Sequence, residues 1–324
     1  MTPSRRAIAT IAESATETLR TSRDLYVVMV PVIVAVKILQ ELDWVRYVAL
    51  PLEPLMRLVG LPAEMGLAWA AGLLNGVYSG LIVLMQLAQG RAEPLSVAQV
   101  TTLSLLILIA HGLPVECGIA HRCGARFIGQ CSLRFGTALL CGVLYHALTE
   151  TFGLHPEAAA IPLPSLPADP SLLDWALGEL RNLAAISGVI FVLMLMMKLL
   201  RASGVLDLVT RAIAPVMRLV GIGSEASAIT VVGMTLGLSY GSGVILQEVR
   251  KGVLPTRDVF FALSLMGVCH SLIEDTLVLM LVGAELGGLL WLRLAVSLAV
   301  IAALVRLVRL VPETAARRFL WVAR

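Results

Sequence analysis

The sequence predicts an all-α polytopic membrane protein made of two inverted repeats. Each repeat is expected to have about three spanning helices, one re-entrant hairpin and an interrupted helix. Three observations carry that prediction: the composition, an internal repeat, and two apolar segments with ionisable groups at their centres. Of the 324 residues, 58% are hydrophobic and 15% charged, and the mean hydropathy is +0.88. Soluble domains carry about a quarter charged residues. Several apolar runs reach the roughly 20 residues that a spanning helix needs.

The net charge is only +3. The basic residues are dispersed among loops, which is the pattern of membrane topology and excludes a nucleic-acid footprint. The five cysteines (Cys117, Cys123, Cys131, Cys141, Cys269) lie in or beside apolar segments. An odd count in a chain of this size does not suggest a disulfide framework.

Residues 1–24 are polar, with Arg5, Arg6, Arg20 and Arg23 against Glu13, Glu17 and Asp24. They show no cleavable signal and suit a short amphipathic helix on the cytoplasmic surface. The apolar segment that follows at 25–42 is expected to remain as a transmembrane helix.

The repeat is read from aligned residues. Segment 37–64, KILQELDWVRYVALPLEPLMRLVGLPAE, aligns without a gap to segment 198–225, KLLRASGVLDLVTRAIAPVMRLVGIGSE. The matches are Lys37/Lys198, Pro54/Pro215, Met56/Met217, Arg57/Arg218, Gly60/Gly221 and Glu64/Glu225. Further on, Tyr78 pairs with Tyr240, Pro94 with Pro255 and His111 with His270, the offset drifting only from 162 to 159. Leucine-rich helices resemble one another by chance, but a shared PxMRLVG followed by correctly spaced Pro, Tyr and His favours duplication. The expected organisation is an N-terminus at 1–24, repeat one at 25–150 and a Pro-rich acidic linker with its lead-in at 151–182. Repeat two then covers 183–310, and a basic tail covers 311–324.

Each half offers a first helix, a segment ending near residue 87 or 247, an interrupted helix and a last helix. Four crossings per half would put the acidic linker on the same side as the arginine-rich N-terminus. If the second segment is re-entrant, the halves are inverted. The basic stretches 1–24, 122–134, 198–218, 250–257 and 306–324 then all fall inside, as lysine and arginine bias requires. Both termini are thus expected to be cytoplasmic, in a multi-pass protein of the cytoplasmic membrane. The re-entrant segments 64–87 and 225–247 have small-residue centres, around Asn75, Gly76 and Ser79, and around Ser239, Tyr240 and Ser242. A helix-packing face built on small residues is the plainer reading of such centres.

The interrupted helices are 103–125, which holds His111 and Glu116, and 263–284, which holds His270, Glu274 and Asp275. Ionisable groups at membrane depth cost a few kcal/mol or more each, so they normally face a cavity. Gly112 and Pro114 support a break in the first copy. The second copy has no proline there.

A short amphipathic PLMRLVG helix, a Gly/Ser-tipped hairpin, and a helix interrupted by His and an acid thus occur twice. This arrangement resembles the nucleoside-recognition, or Gate-domain, membrane proteins. Through them it resembles the core of concentrative nucleoside transporters, the spore-maturation membrane proteins, and the membrane part of GTPase-linked ferrous-iron transporters. By position, the resemblance implies a substrate or ion site made by Asn75, Tyr78, Ser79, Glu116, Ser239, Tyr240, Ser242, Glu274 and Asp275. The sequence lacks the transporters' additional helices and any GxxxxGK[ST] phosphate loop.

Among the residues themselves, His111 and His270 suit proton carriage, metal ligation or hydrogen bonding to a solute. A lone histidine is more often a satisfied core residue. His111, Glu116, Cys117, His121 and Cys123 include borderline metal ligands but match no strong tetrahedral zinc spacing. No Ser-His-Asp arrangement favours catalysis, and no cofactor is implied. The expected function is an integral membrane transporter or solute-recognition protein. Its polar midplane site would lie between the repeats and take a nucleoside-like or other small polar solute, with or without ion coupling. The alternatives are divalent-metal (iron-like) transport and a non-transporting assembly scaffold. The expected partners are the lipid bilayer and a small polar solute or cation, with no nucleic acid and the homo-oligomeric state open.

Overall fold

The computed structural model of the protein describes residues 3–89, 91–162, 171–205 and 255–322, with single positions at 208, 211, 215, 230, 231, 233 and 234. The expected second hairpin, with Ser239, Tyr240 and Ser242, lies outside the described residues, as does Pro164 of the linker.

Helix α1 (Pro3–Glu41) runs unbroken through the boundary that the sequence suggests near residue 25. From Ser4 to Val30 there is neither glycine nor proline to stop it, and Pro31 is accommodated inside the helix. Ser14, Thr18 and Ser22 fall at a four-residue spacing and are all buried, forming one polar stripe. That stripe packs on α9 (Leu172–Ala202). Lys198 Nζ lies 3.2 Å from Glu13 and 2.7 Å from Glu17. Ser187 donates to Ser22 Oγ at 2.8 Å, Tyr26 donates to the Leu183 carbonyl at 2.5 Å, and Lys37 Nζ sits 5.7 Å from the Trp175 ring centre. Residue numbers rise on one helix as they fall on the other, so α1 and α9 are antiparallel along their length.

After α1 the chain bends by 114°, with Asp43 at φ +54°. It continues as α2 (Val45–Ala49), a 3-10 turn (Leu50–Leu52) and α3 (Glu53–Leu58). Pro51 and Pro54 sit in first turns, where a missing N–H costs nothing. Helices α4 (Met65–Asn75) and α5 (Val77–Gln89) are joined by Gly76 at φ +127°, which a side chain would strain. Their 11 and 13 residues rise about 17 and 20 Å, short of the ~30 Å hydrocarbon core. Gly72 and Gly80, equidistant from the turn, let the arms touch: a Cβ on Gly80 would lie 3.1 Å from the Ala68 carbonyl. These two helices form the hairpin expected in the first half.

Helix α6 (Val97–Ile109) opens with a capping box between Ser96 and Gln99 and is buried all round from Val100 to Ile109, as an apolar helix at the centre of a bundle should be. It stops at Ala110–Gly112, and α7 (Leu113–Arg122) begins with Pro114 in its first turn. Helix α8 (Phe127–Phe152) follows. In the second half, α10 (Thr256–Val268) is separated from α11 (Glu274–Met280) by a break in which Ser271 has φ +47°. A π-helical turn (Gly287–Leu292) leads into α12 (Arg293–Leu310), and α13 (Glu313–Phe319) closes the described chain.

Two contacts pair the loops by face. Val97 N donates to the Glu157 carbonyl at 2.9 Å, and Val322 N donates to the Gly124 carbonyl at 2.9 Å. Among the described residues, four segments are long and apolar enough to cross a membrane: Val97–Arg122 taken across its break, Phe127–Phe152, Leu172–Leu200 and Gly287–Leu310. The bent α1–α3 pair makes a fifth. The protein is an all-α polytopic membrane protein.

Candidate functional site

Each broken helix places a histidine just past one half-helix and an acid in the first turn of the next. His111 follows α6 and Glu116 opens α7; His270 follows α10, and Glu274 and Asp275 open α11. A helix C-terminus leaves carbonyls without partners, and an N-terminus favours negative charge. The breaks therefore collect acceptors on one side and carboxylates on the other.

The two histidines meet. His111 Nδ1 faces the carbonyls of Ile107 (3.1 Å) and Leu108 (3.2 Å), and His270 Nδ1 faces that of Met266 (2.9 Å). A carbonyl only accepts, so each Nδ1 carries a hydrogen, and in the neutral ring each Nε2 presents a lone pair. Those Nε2 atoms are 3.1 Å apart, and the rings are tilted with centres 4.9 Å apart. Glu116 Oε1 lies 3.2 Å from His111 Nε2 and 3.3 Å from His270 Nε2. Asp275 is also buried and brings a carboxylate oxygen within 4.8 Å of a nitrogen of each ring.

Two arginines fix the breaks from behind. Arg134, on α8 and 1% exposed, ion-pairs with Glu116 Oε2. It donates to the carbonyls of Ile109 (3.0 Å) and His111 (2.9 Å). Arg293, on α12 and fully buried, donates to the His270 carbonyl at 2.5 Å. Arg293 follows Arg134 at the same 159-residue separation that divides the two histidines. At that offset the counterpart of Glu116 is Asp275, whose side chain is one methylene shorter. No described group pairs with Arg293 Nε or Nη1.

The hairpin docks on the first break. Gly112 N donates to the Gly72 carbonyl at 2.9 Å, and Trp69 Nε1 donates to the Leu106 carbonyl at 3.2 Å. Trp69 also stacks on Phe135 at 5.0 Å, so it serves packing. Tyr78 lies within electrostatic reach of Glu274 and Asp275. Ser79 is buried in α5, whereas Asn75 is exposed at the end of α4. Of the residues expected at the site, His111, Glu116, His270 and Asp275 are brought together, Tyr78 and Glu274 border them, and Asn75 stands apart. Ser239, Tyr240 and Ser242 lie outside the described residues.

Arg134 departs from the sequence expectation, which counted it only within the basic stretch 122–134. It stands two turns inside α8 and holds the site instead. The signal that could have found it is the recurrence of arginine at the histidine offset. A second buried acid was also missed: Glu179 on α9 accepts from Gln86 at 3.1 Å and from Asn182 at 3.4 Å.

Comparison with known proteins bears on the same regions. Residues 183–308 match the family model described as Gate, nucleoside recognition. The chain is similar to an uncharacterized membrane protein, YvoD, of Bacillus subtilis (strain 168), being 28% identical over 277 residues that cover 83% of this chain and 86% of the relative. No solved structure matches. These findings indicate a membrane protein of transporter or recognition type, and residues 183–308, which match the Gate (nucleoside recognition) model, carry the second broken helix.

Proposed function

We propose that the protein is a non-enzymatic transporter or solute-recognition protein of the cytoplasmic membrane. Its polar site lies where the two broken helices meet and takes a small polar solute, nucleosides being the class that the Gate description names. One observation carries this reading: ionisable side chains from two breaks 159 residues apart touch inside an apolar bundle, His111 to His270 at 3.1 Å. Broken helices whose ends converge at mid-membrane are how secondary transporters hold solutes and coupling ions.

Three further observations support an inverted pair of repeats with cytoplasmic termini. The antiparallel α1 and α9 begin equivalent halves. Glu13 and Glu17 meet Lys198, which keeps the N-terminus and the end of α9 on one face. The tail meets the 122–126 loop, through Arg126 N donating to the Leu320 carbonyl at 2.8 Å. The two halves would rock about the junction to alternate access.

The test is thermal-shift screening of the purified protein against nucleosides and anionic solutes, followed by uptake into proteoliposomes. A bound solute at 100 times its Kd adds about 2.7 kcal/mol of apparent stability. Glu116→Gln and Glu274→Gln are expected to weaken uptake or remove its pH dependence while the protein still folds. If no solute shifts the protein and alanine at both positions leaves cellular function intact, the protein is a membrane scaffold.

A further inference from the structure

We propose that the junction of the two breaks is a divalent transition-metal site, with His111 Nε2, His270 Nε2 and Glu116 Oε1 as ligands and Asp275 completing the set. The proposal rests on the reading that this junction is the protein's ligand-binding site, and it adds a coordinated ion to that site.

The argument begins with hydrogens. Both Nδ1 atoms face backbone carbonyls as donors, so a neutral ring leaves Nε2 free to ligate. A carboxylate oxygen has no hydrogen either. With both rings neutral, three lone-pair atoms converge at mutual distances of 3.1, 3.2 and 3.3 Å. Lone pairs at that range repel unless a positive species sits among them.

The dimensions specify that species. A point about 2.1 Å from all three atoms exists just off their plane, and that is the bond length of a zinc-class ion to imidazole or carboxylate. Ligands of a tetrahedral site with such bonds stand about 3.3 Å apart, close to the separations found here. Asp275, with a carboxylate oxygen within 4.8 Å of both rings, is placed to reach the fourth position directly or through water. Two neutral imidazoles with carboxylate suit first-row divalent ions, whereas calcium and magnesium take oxygen ligands.

The surroundings are those of a supported metal centre. Metal-binding histidines typically donate their second nitrogen to a carbonyl or carboxylate, as both do here. Arg134 holds the remaining oxygen of Glu116 and so aims Oε1 at the histidines. The ligands come from both halves, so an ion would clamp the two breaks together, and its loss would let them separate.

The experiment uses the full-length protein in detergent, stripped with a chelator and titrated with Co2+ and then Zn2+. The expected result is one equivalent of metal bound, visible as tetrahedral Co2+ absorption bands that Zn2+ displaces. X-ray absorption of the zinc-loaded wild type is expected to show two imidazole nitrogens at about 2.0–2.1 Å. His111→Gln and His270→Gln are each expected to weaken binding at least tenfold, while His155→Gln, in the loop after α8, leaves it unchanged. Absence of stoichiometric metal in the wild type, or a zinc shell without histidine, overturns the site and assigns the charge among the lone pairs to a proton. Nucleoside-induced thermal shifts in the chelated sample read the broader proposal separately. Such a shift without metal uptake sinks the metal site alone, and metal uptake without a shift sinks the nucleoside reading alone.

Discussion

At the scale of the residue, the site is a balance of buried charges around two backbone breaks. Arg134 neutralises Glu116 and satisfies two carbonyls that the end of α6 leaves open. Replacing it with methionine would strand a buried carboxylate, and removing one member of a buried pair typically costs about 3–5 kcal/mol. Arg134→Met is therefore expected to lower stability by that amount in equilibrium unfolding, whereas Arg122→Met, on an exposed position, stays within about 0.5 kcal/mol. The histidines and acids were legible in the sequence because they interrupt apolar runs. Arg134 was not, because it stands near a run of basic loop residues. Nor was the three-atom cluster, because its ligands come from positions 111, 116 and 270 and no local spacing announces them. Backbone conformation matters equally at Gly76, where φ is +127°. Gly76→Ala is expected to cost about 1–3 kcal/mol of strain and to loosen the hairpin, read as faster amide hydrogen exchange across 65–89.

At the scale of the element, the breaks and the hairpin depend on one another. The Gly72 carbonyl accepts from Gly112, and a Cβ at Gly80 would lie 2.8 Å from Ile107 Cδ1, so the hairpin seats directly against α6. The hairpin was legible from its small-residue centre and its length. The extent of α1 was not, because the charged stretch before residue 25 reads as a surface helix. In the structure its Ser14, Thr18 and Ser22 stripe turns towards α9 instead. Cysteines at Ser22 and Ser187, whose hydroxyls are 2.8 Å apart, are expected to form a disulfide on mild oxidation. Cysteines at Ser22 and Ser171 are expected to stay reduced, since antiparallel packing puts Ser171 beyond the opposite end of α1. The reverse outcome would mean that the two helices run parallel.

At the scale of the whole molecule, the two breaks meet, with the ionisable groups of each facing the other. The fold class followed from composition and patterning, since 15% charged residues against about a quarter in soluble domains came with apolar runs of spanning length. The meeting of the halves did not follow, because nothing in a repeat says whether its copies share one site or keep two. Arg91 and the linker near Ala158 are expected on one face of the membrane. Single cysteines at both positions are expected to react with an impermeant reagent from outside, while one at Arg122 reacts only after permeabilisation.

Whether the two breaks form a single site is read from a double-mutant cycle between Glu116→Gln and His270→Gln. The residues belong to different halves yet lie 3.3 Å apart. In equilibrium unfolding of the purified protein, the two changes are expected to be non-additive by about 0.5–3 kcal/mol, as contacting groups are. Additivity within about 0.3–0.5 kcal/mol, the behaviour of distant sites, would mean that the breaks do not meet.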